Sequence, residues 1–155
     1  MRKLIKNVIT REEAGQLPSP SPATKNIILK GLTNPVMLKV LDIVLNETNI
    51  KFEDLSVHSF ARIEDHPLGH SWHTDTGKLG ENHDNPEMYW CRYGASLLLS
   101  DRFTGGDFRY KDSFAATGPI TVAERQGFDL LIHDSKQIHS VLPSEGSRLV
   151  LLFFI

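Results

Sequence analysis

From Leu55 to Ile155 the chain is written as short apolar runs separated by clusters of Gly, Pro, Asn, Asp and Ser. No other feature constrains the fold as strongly, because runs too short for stable helices satisfy their backbone groups by pairing with one another. Candidate strands cover Ser56 to Ile63, His70 to Asp75, Arg92 to Ser100, Asp107 to Lys111, Ile120 to Glu124, Phe128 to His133, Gln137 to Leu142 and Arg148 to Ile155. Eight strands at this spacing predict a sandwich or barrel, with a jelly roll among the options. One long polar connection, Thr76 to Trp90, interrupts them and is expected to act as a lid.

The region before Leu55 reads differently. Leu4, Ile5, Val8 and Ile9 suggest a short strand, and Thr10 with Glu13 three residues later forms a capping-box pattern that predicts a short helix. Three prolines between Pro18 and Pro22 enforce a loop, and Asn26 to Leu29 is a further candidate strand. Asn34-Pro35 joins an N-cap residue to proline at the first helical position. Met37, Val40, Leu41, Val44 and Leu45 follow at helical spacing, so a helix from about Pro35 to Glu47 should lay this stripe on the outside of a sheet. The expected architecture is mainly β with N-terminal helices: one domain over 1–155, with 1–54 as helical support and 55–155 as the β core.

A chain of 155 residues can bury a core without staples, and its single cysteine, Cys91, excludes an intrachain disulfide. The N-terminal stretch is basic but lacks the apolar run and small-residue cleavage site of a secretory signal, and no segment is long and apolar enough to span a membrane. A cytoplasmic location is expected. The net charge of -2 gives no nucleic-acid signal. Oligomeric state is not written in these features.

Four side chains between residues 73 and 148 carry the chemistry. On an extended strand, residues two apart point the same way, so His73 and Asp75 would present an imidazole and a carboxylate on one face, with Thr74 turned away. His139, expected from the opposite rim of the roll, would complete a two-His, one-carboxylate set whose other positions stay open to substrate and O2 at a non-haem Fe(II). Arg148 lies nine residues beyond His139, ahead of the apolar run Leu149 to Ile155. Planar and permanently charged, it suits bidentate capture of a carboxylate deep in a pocket.

With His73-Thr-Asp75, the strand Ala95 to Ser100 running into Phe103-Thr-Gly-Gly-Asp-Phe108, the strand Gly127 to His133, and His139-Ser-Val141 with Gly146-Ser-Arg148, the chain resembles the Fe(II)/2-oxoglutarate-dependent dioxygenases, most closely the prolyl 4-hydroxylase-like branch. The opening Val8 to Glu13 resembles the helical lead-in of that branch. The resemblance implies a cupin-like double-stranded β-helix. It also implies His73, Asp75 and His139 as ligands of Fe(II), Arg148 as the residue that holds 2-oxoglutarate, O2 as oxidant, and ascorbate as an optional reductant. Two positions depart from the pattern: Ile63 stands where many relatives carry a tyrosine, and Leu98, with Ser96 nearby, stands where some use a tyrosine to help hold the distal carboxylate. The implied substrate is a prolyl residue in a peptide or protein. A free amino acid or other small molecule is the first alternative, and a non-catalytic, metal-containing binding module the second.

Each motif has a plainer reading. His-x-Asp alone is a weak signal in a chain with seven histidines; its conjunction with His139 and Arg148 at the right spacings is what carries weight. An arginine before a strand is often a surface ion pair, yet the strand after Arg148 reads as buried, and a buried guanidinium needs an anion. His66, His70 and His73 could suggest zinc, but no cysteine joins them and a structural zinc normally takes four protein ligands. His133 is set aside because only His139 has the right distance to Arg148. His83 is expected to be solvated. Arg109, beside Gly105-Gly106-Asp107, is a further candidate to face the pocket, whereas Trp72, Tyr89, Trp90, Arg92 and Tyr110 read as packing or solvent-facing.

Overall fold

A computed structural model of the chain describes residues 1–76 and 88–155. The expected lid lies largely outside the described residues, as does His83; of that connection only Thr76 and Met88 to Trp90 are described. The first elements are strand β1 (Arg2–Ile5), helix α1 (Arg11–Ala14) and strand β2 (Ile27–Ile28). Val8 and Ile9 are buried but lie beyond β1, because Asn7 turns the backbone to a φ of 51° and ends the extended run. The Thr10 hydroxyl accepts from the amide of Glu13, and the Glu13 carboxylate accepts from the amide of Thr10, so the capping box closes as predicted.

Helix α2 (Pro35–Thr48) matches its predicted span to within a residue. The Asn34 side chain accepts from the amides of Val36 and Met37, and Asn49 ends the helix in the left-handed conformation at φ 57°. Its stripe, Met37, Val40, Leu41, Val44 and Leu45, is buried.

The strands that follow are β3 (Phe60–Asp65), β4 (His70–His73), β5 (Tyr93–Leu98), β6 (Phe103–Gly105), β7 (Phe108–Lys111), β8 (Thr121–Val122), β9 (Leu130–Asp134), β10 (Ile138–Val141), β11 (Ser144–Gly146) and β12 (Leu149–Phe154). A large sheet runs β1-β9-β5-β12-β3-β2 and a small one β4-β10-β7-β8, while β6 and β11 form a separate pair. Each strand anticipated after Leu55 has a counterpart. The β6–β11 pair was not anticipated, since Phe-Thr-Gly and Ser-Glu-Gly are too short and polar to read as strands. The two candidate strands of the N-terminal region correspond to β1 and β2, and both join the large sheet.

Alternation along the large sheet sorts its two faces. Ala61, Ile63, Ala95, Leu97, Leu130, Ile132, Leu151 and Phe153 join the α2 stripe in one apolar cluster. Their neighbours on the same strands, Arg62, Gly94, Ser96, His133, Val150 and Leu152 among them, line a cavity on the other face. Phe108 and Tyr110 of β7 and Val141 of β10 close that side against Leu131 of β9. Ile63 thus packs under the helix, and the cavity-facing positions of β3 are Arg62 and Glu64. Among the described residues no helix is long and apolar enough to cross a membrane.

Candidate metal centre

His73 ends β4 and His139 sits directly across the antiparallel ladder on β10, with ring centroids 4.3 Å apart. The expectation that His139 comes from an opposite rim is therefore corrected: the two imidazoles are cross-strand neighbours on one rim. The basis for Asp75 also changes. Strand β4 stops at His73, and Asp75 lies in a bend beyond it, so strand alternation is not what aligns the two side chains. The bend is pinned instead by the Asp75 and Thr76 amides, which both donate to the Ser135 carbonyl (3.0 and 3.2 Å), and by the Thr74 hydroxyl donating to the Thr76 carbonyl (2.8 Å).

The ligating atoms of His73, Asp75 and His139 lie within 4.8 Å of one another, the one such group among the described residues. His73 Nδ1 donates to the Ser71 carbonyl at 2.6 Å, and His139 Nδ1 donates to the Gln137 carbonyl at 2.8 Å. Each bond fixes its ring and turns the Nε2 lone pair toward Asp75 Oδ1, 3.9 Å from His73 and 3.3 Å from His139. Three electron-pair donors converging this way need a proton or a cation between them. The ionisations express the same demand. Burial, reinforced by the charge of His139, lowers His73 to about 4. Burial would also lower His139, but Asp75 outweighs it and the imidazole is raised. Burial would raise Asp75, yet His139 and His133 together hold it well below the usual carboxylate range. The donor set, two imidazoles and a carboxylate, suits a divalent transition metal with open positions.

His133, set aside at the sequence level, has a role beside this group. Its Nε2 donates to Asp75 Oδ2 at 2.9 Å and the ring is buried, so it aims the other oxygen at the imidazoles. The alternation of β9 could have found it: with Leu130 and Ile132 under the helix, Leu131 and His133 must face inward. Gly94 is the second residue missed. A Cβ there would lie 2.2 Å from Asp75 Oδ2 and 2.8 Å from His133 Nε2, so a residue without a side chain is required.

The cavity beside the three ligating atoms encloses about 250 Å³. Arg148, immediately before β12, is buried and lines it. Its Nε has no hydrogen-bond acceptor, and among the described residues no carboxylate lies within ion-pairing distance of the guanidinium. A Cβ at Gly106 (φ 73°) would meet Arg148 Cδ at 2.5 Å, so that glycine both makes its turn and clears the path of the side chain. An unsatisfied buried cation costs several kcal/mol by order of magnitude, and a ligand carboxylate would remove that cost.

The remaining candidates do not join the metal-ligating group. Arg109 turns away from the cavity, with its guanidinium 4.7 Å from the Trp72 ring centroid and Nε donating to Ser140 Oγ at 3.2 Å. His66 and His70 stack at 4.4 Å and His70 Nε2 meets Glu64 at 3.0 Å, an arrangement that does not converge on a metal. Tyr89 is exposed, while Tyr110 is buried inside the roll with its hydroxyl unpartnered.

No protein-family model matches the chain, and no curated protein matches it by sequence. Solved structures do match. A prolyl-4-hydroxylase from Pseudomonas putida aligns over 99% of this chain and 84% of its own, with a TM-score of 0.65 at 16% identity. A Trichoplax adhaerens prolyl hydroxylase, in complex with a peptide fragment of the hypoxia inducible factor oxygen degradation domain, aligns over 99% and 82% with a TM-score of 0.61 at 12% identity. HygX from Streptomyces hygroscopicus, with nickel and 2-oxoglutarate bound, aligns over 99% and 81% with a TM-score of 0.61 at 14% identity. The fold is therefore the double-stranded β-helix of the 2-oxoglutarate-Fe(II) oxygenases. The structures that share this fold include prolyl hydroxylases as well as HygX.

Proposed function

We propose that the chain is an Fe(II)- and 2-oxoglutarate-dependent dioxygenase that hydroxylates an unactivated C–H bond, with a prolyl residue of a peptide or protein as substrate. The observation that carries this reading is the pairing of ends in one cavity: three converging metal-ligating atoms beside it, and a buried guanidinium without an acceptor in its wall. A binding module that kept a metal for structure has no use for the second feature.

His73 Nε2, Asp75 Oδ1 and His139 Nε2 would hold Fe(II), and Arg148 would bind the distal carboxylate of 2-oxoglutarate. With O2, the bound iron and 2-oxoglutarate would supply oxidative decarboxylation to succinate and CO2, coupled to hydroxylation of the substrate. The chain's own contribution is order and exclusion. Ser71, Gln137 and His133 fix the three ligands before anything binds. Val150, Leu152 and Phe154 make one wall of the cavity apolar, which lowers the local dielectric and strengthens the attraction of Arg148 for an anion. The prolyl assignment draws on the likeness to the two prolyl hydroxylases; Arg62 and Glu64, of opposite charge in the same wall, suit a polar backbone or a zwitterion equally.

Turnover with Fe(II), O2 and 2-oxoglutarate, read as succinate, should be detectable in the wild type and lost in His73→Ala. Mass spectrometry of a proline-containing peptide library and a small-molecule panel should then find the gain of one oxygen among the peptides. Succinate formation unchanged in His73→Ala would overturn the dioxygenase assignment. Oxygen gained only by free amino acids or other small molecules would overturn the prolyl one.

A further inference from the structure

Arg62 and Glu64 of β3 line the metal cavity, and both also line an open hollow beside Pro20, Pro22 and Lys25 of the proline loop. The pairing of β2 with β3 ends at Ala61, which leaves that hollow uncovered next to Arg62. A substrate longer than its reacting residue can therefore continue from the cavity into the hollow past these two side chains.

Their opposite charges are not equally available. Glu64 is taken up by His70, whose Nε2 lies 3.0 Å from Oε1. Arg62 is held along its stem but not at its tip. Its Nε donates to the Lys25 carbonyl at 2.9 Å, and its guanidinium carbon lies 5.6 Å from the Phe60 ring centroid. Among the described residues no carboxylate is within ion-pairing distance of it. Asp65 lines the hollow too, but strand alternation turns it to the opposite face of β3. The planar head group is thus fixed in direction while its two terminal nitrogens stay unbonded among the described residues. A pre-oriented fork of this kind accepts a carboxylate on two parallel hydrogen bonds. Lys25, likewise without an ion pair among the described residues, adds charge of the same sign along the hollow.

We propose that Arg62 is a specificity-determining residue that binds a carboxylate of the substrate, and that this carboxylate belongs to an acidic side chain flanking the hydroxylated prolyl residue. This rests on the prolyl reading above and extends it to what lies beside the proline. The reacting residue belongs at the metal centre, whereas Arg62 borders the hollow outside, so the group it reads sits on a neighbouring residue.

The test scans glutamate through the positions on either side of a single proline in capped peptides, each compared with its glutamine counterpart. Turnover with Fe(II), O2 and 2-oxoglutarate is read by mass spectrometry as the gain of one oxygen. At one position or more, glutamate should be favoured by about tenfold or more in kcat/KM, the scale of a hydrogen bond to a charged group, and mainly through KM. Arg62→Gln should abolish that preference. Arg62→Glu should turn it toward lysine at the same position, a reversal that a misfolded variant cannot produce. A preference absent at every position, or one that survives Arg62→Gln, would overturn the proposal. So would a preference confined to peptides with a free C-terminal carboxylate, which would put the recognised group at a chain end. If no peptide gains oxygen, the prolyl reading itself fails and this inference with it.

Discussion

The two faces of the large sheet belong to the same strands and follow opposite rules. Toward α2, Ile63, Leu97, Ile132, Leu151 and Phe153 pack in one apolar cluster, and each is nearly or fully inaccessible to solvent. One residue away on each strand, Arg62, Ser96, His133 and Leu152 face the cavity, where His133 and Arg148 keep buried polar atoms without partners. The outer face is complete in itself and stabilises the fold. The inner face is incomplete, and its missing partners describe what it would bind. Substitutions on the first should change stability, and substitutions on the second should change ligand binding.

The largest effect expected is on the inner face: Asp75→Ala should abolish succinate formation, measured in a coupled or mass-spectrometric assay, while the thermal midpoint stays close to wild type. On the outer face, Phe153→Ala should lower unfolding free energy by about 3–5 kcal/mol, measured by urea denaturation. Gly94→Ala, which presses a methyl group into Asp75 and His133, should weaken metal binding by about 10- to 100-fold; competition with a chromogenic chelator would read it. An unchanged affinity would mean that the carboxylate is not held where the structure has it. The smallest effect lies at the start of α2, where Asn34→Ala removes the cap to Val36 and Met37 and should cost about 1 kcal/mol with no change in metal affinity. A core substitution that altered metal affinity as strongly as stability would blur the division between the two faces.

Much of this was legible in the sequence because it is local. Asn34-Pro35 and the stripe from Met37 to Leu45 specify α2 through capping and periodicity alone, and the closed Thr10–Glu13 box has the same origin. His73, Asp75, His139 and Arg148 could be picked out by type and spacing, although the reason they meet differs from strand alternation: a bend pinned to Ser135 carries Asp75, and ladder register carries His139. What stayed hidden depends on contacts between distant segments. Arg125 lies in Ala-Glu-Arg-Gln-Gly, which reads as a solvated turn, and only the folded chain carries it to Ser96. Gly94 looks like an ordinary strand glycine until Asp75, distant in sequence, is brought against it. Arg109, adjacent to a glycine pair, read as a pocket residue but lies on the strand face occupied by Trp72.

The central claim is that the inner face binds Fe(II) and 2-oxoglutarate together, and anaerobic absorbance titration reaches it directly. Adding 2-oxoglutarate to the Fe(II)-loaded protein should produce the weak visible metal-to-ligand band of the chelate, saturating at one equivalent per chain. Arg148→Met should require about 100-fold more cosubstrate to reach the same band. Absence of the band in the wild type, or a titration indifferent to Arg148, would contradict the account.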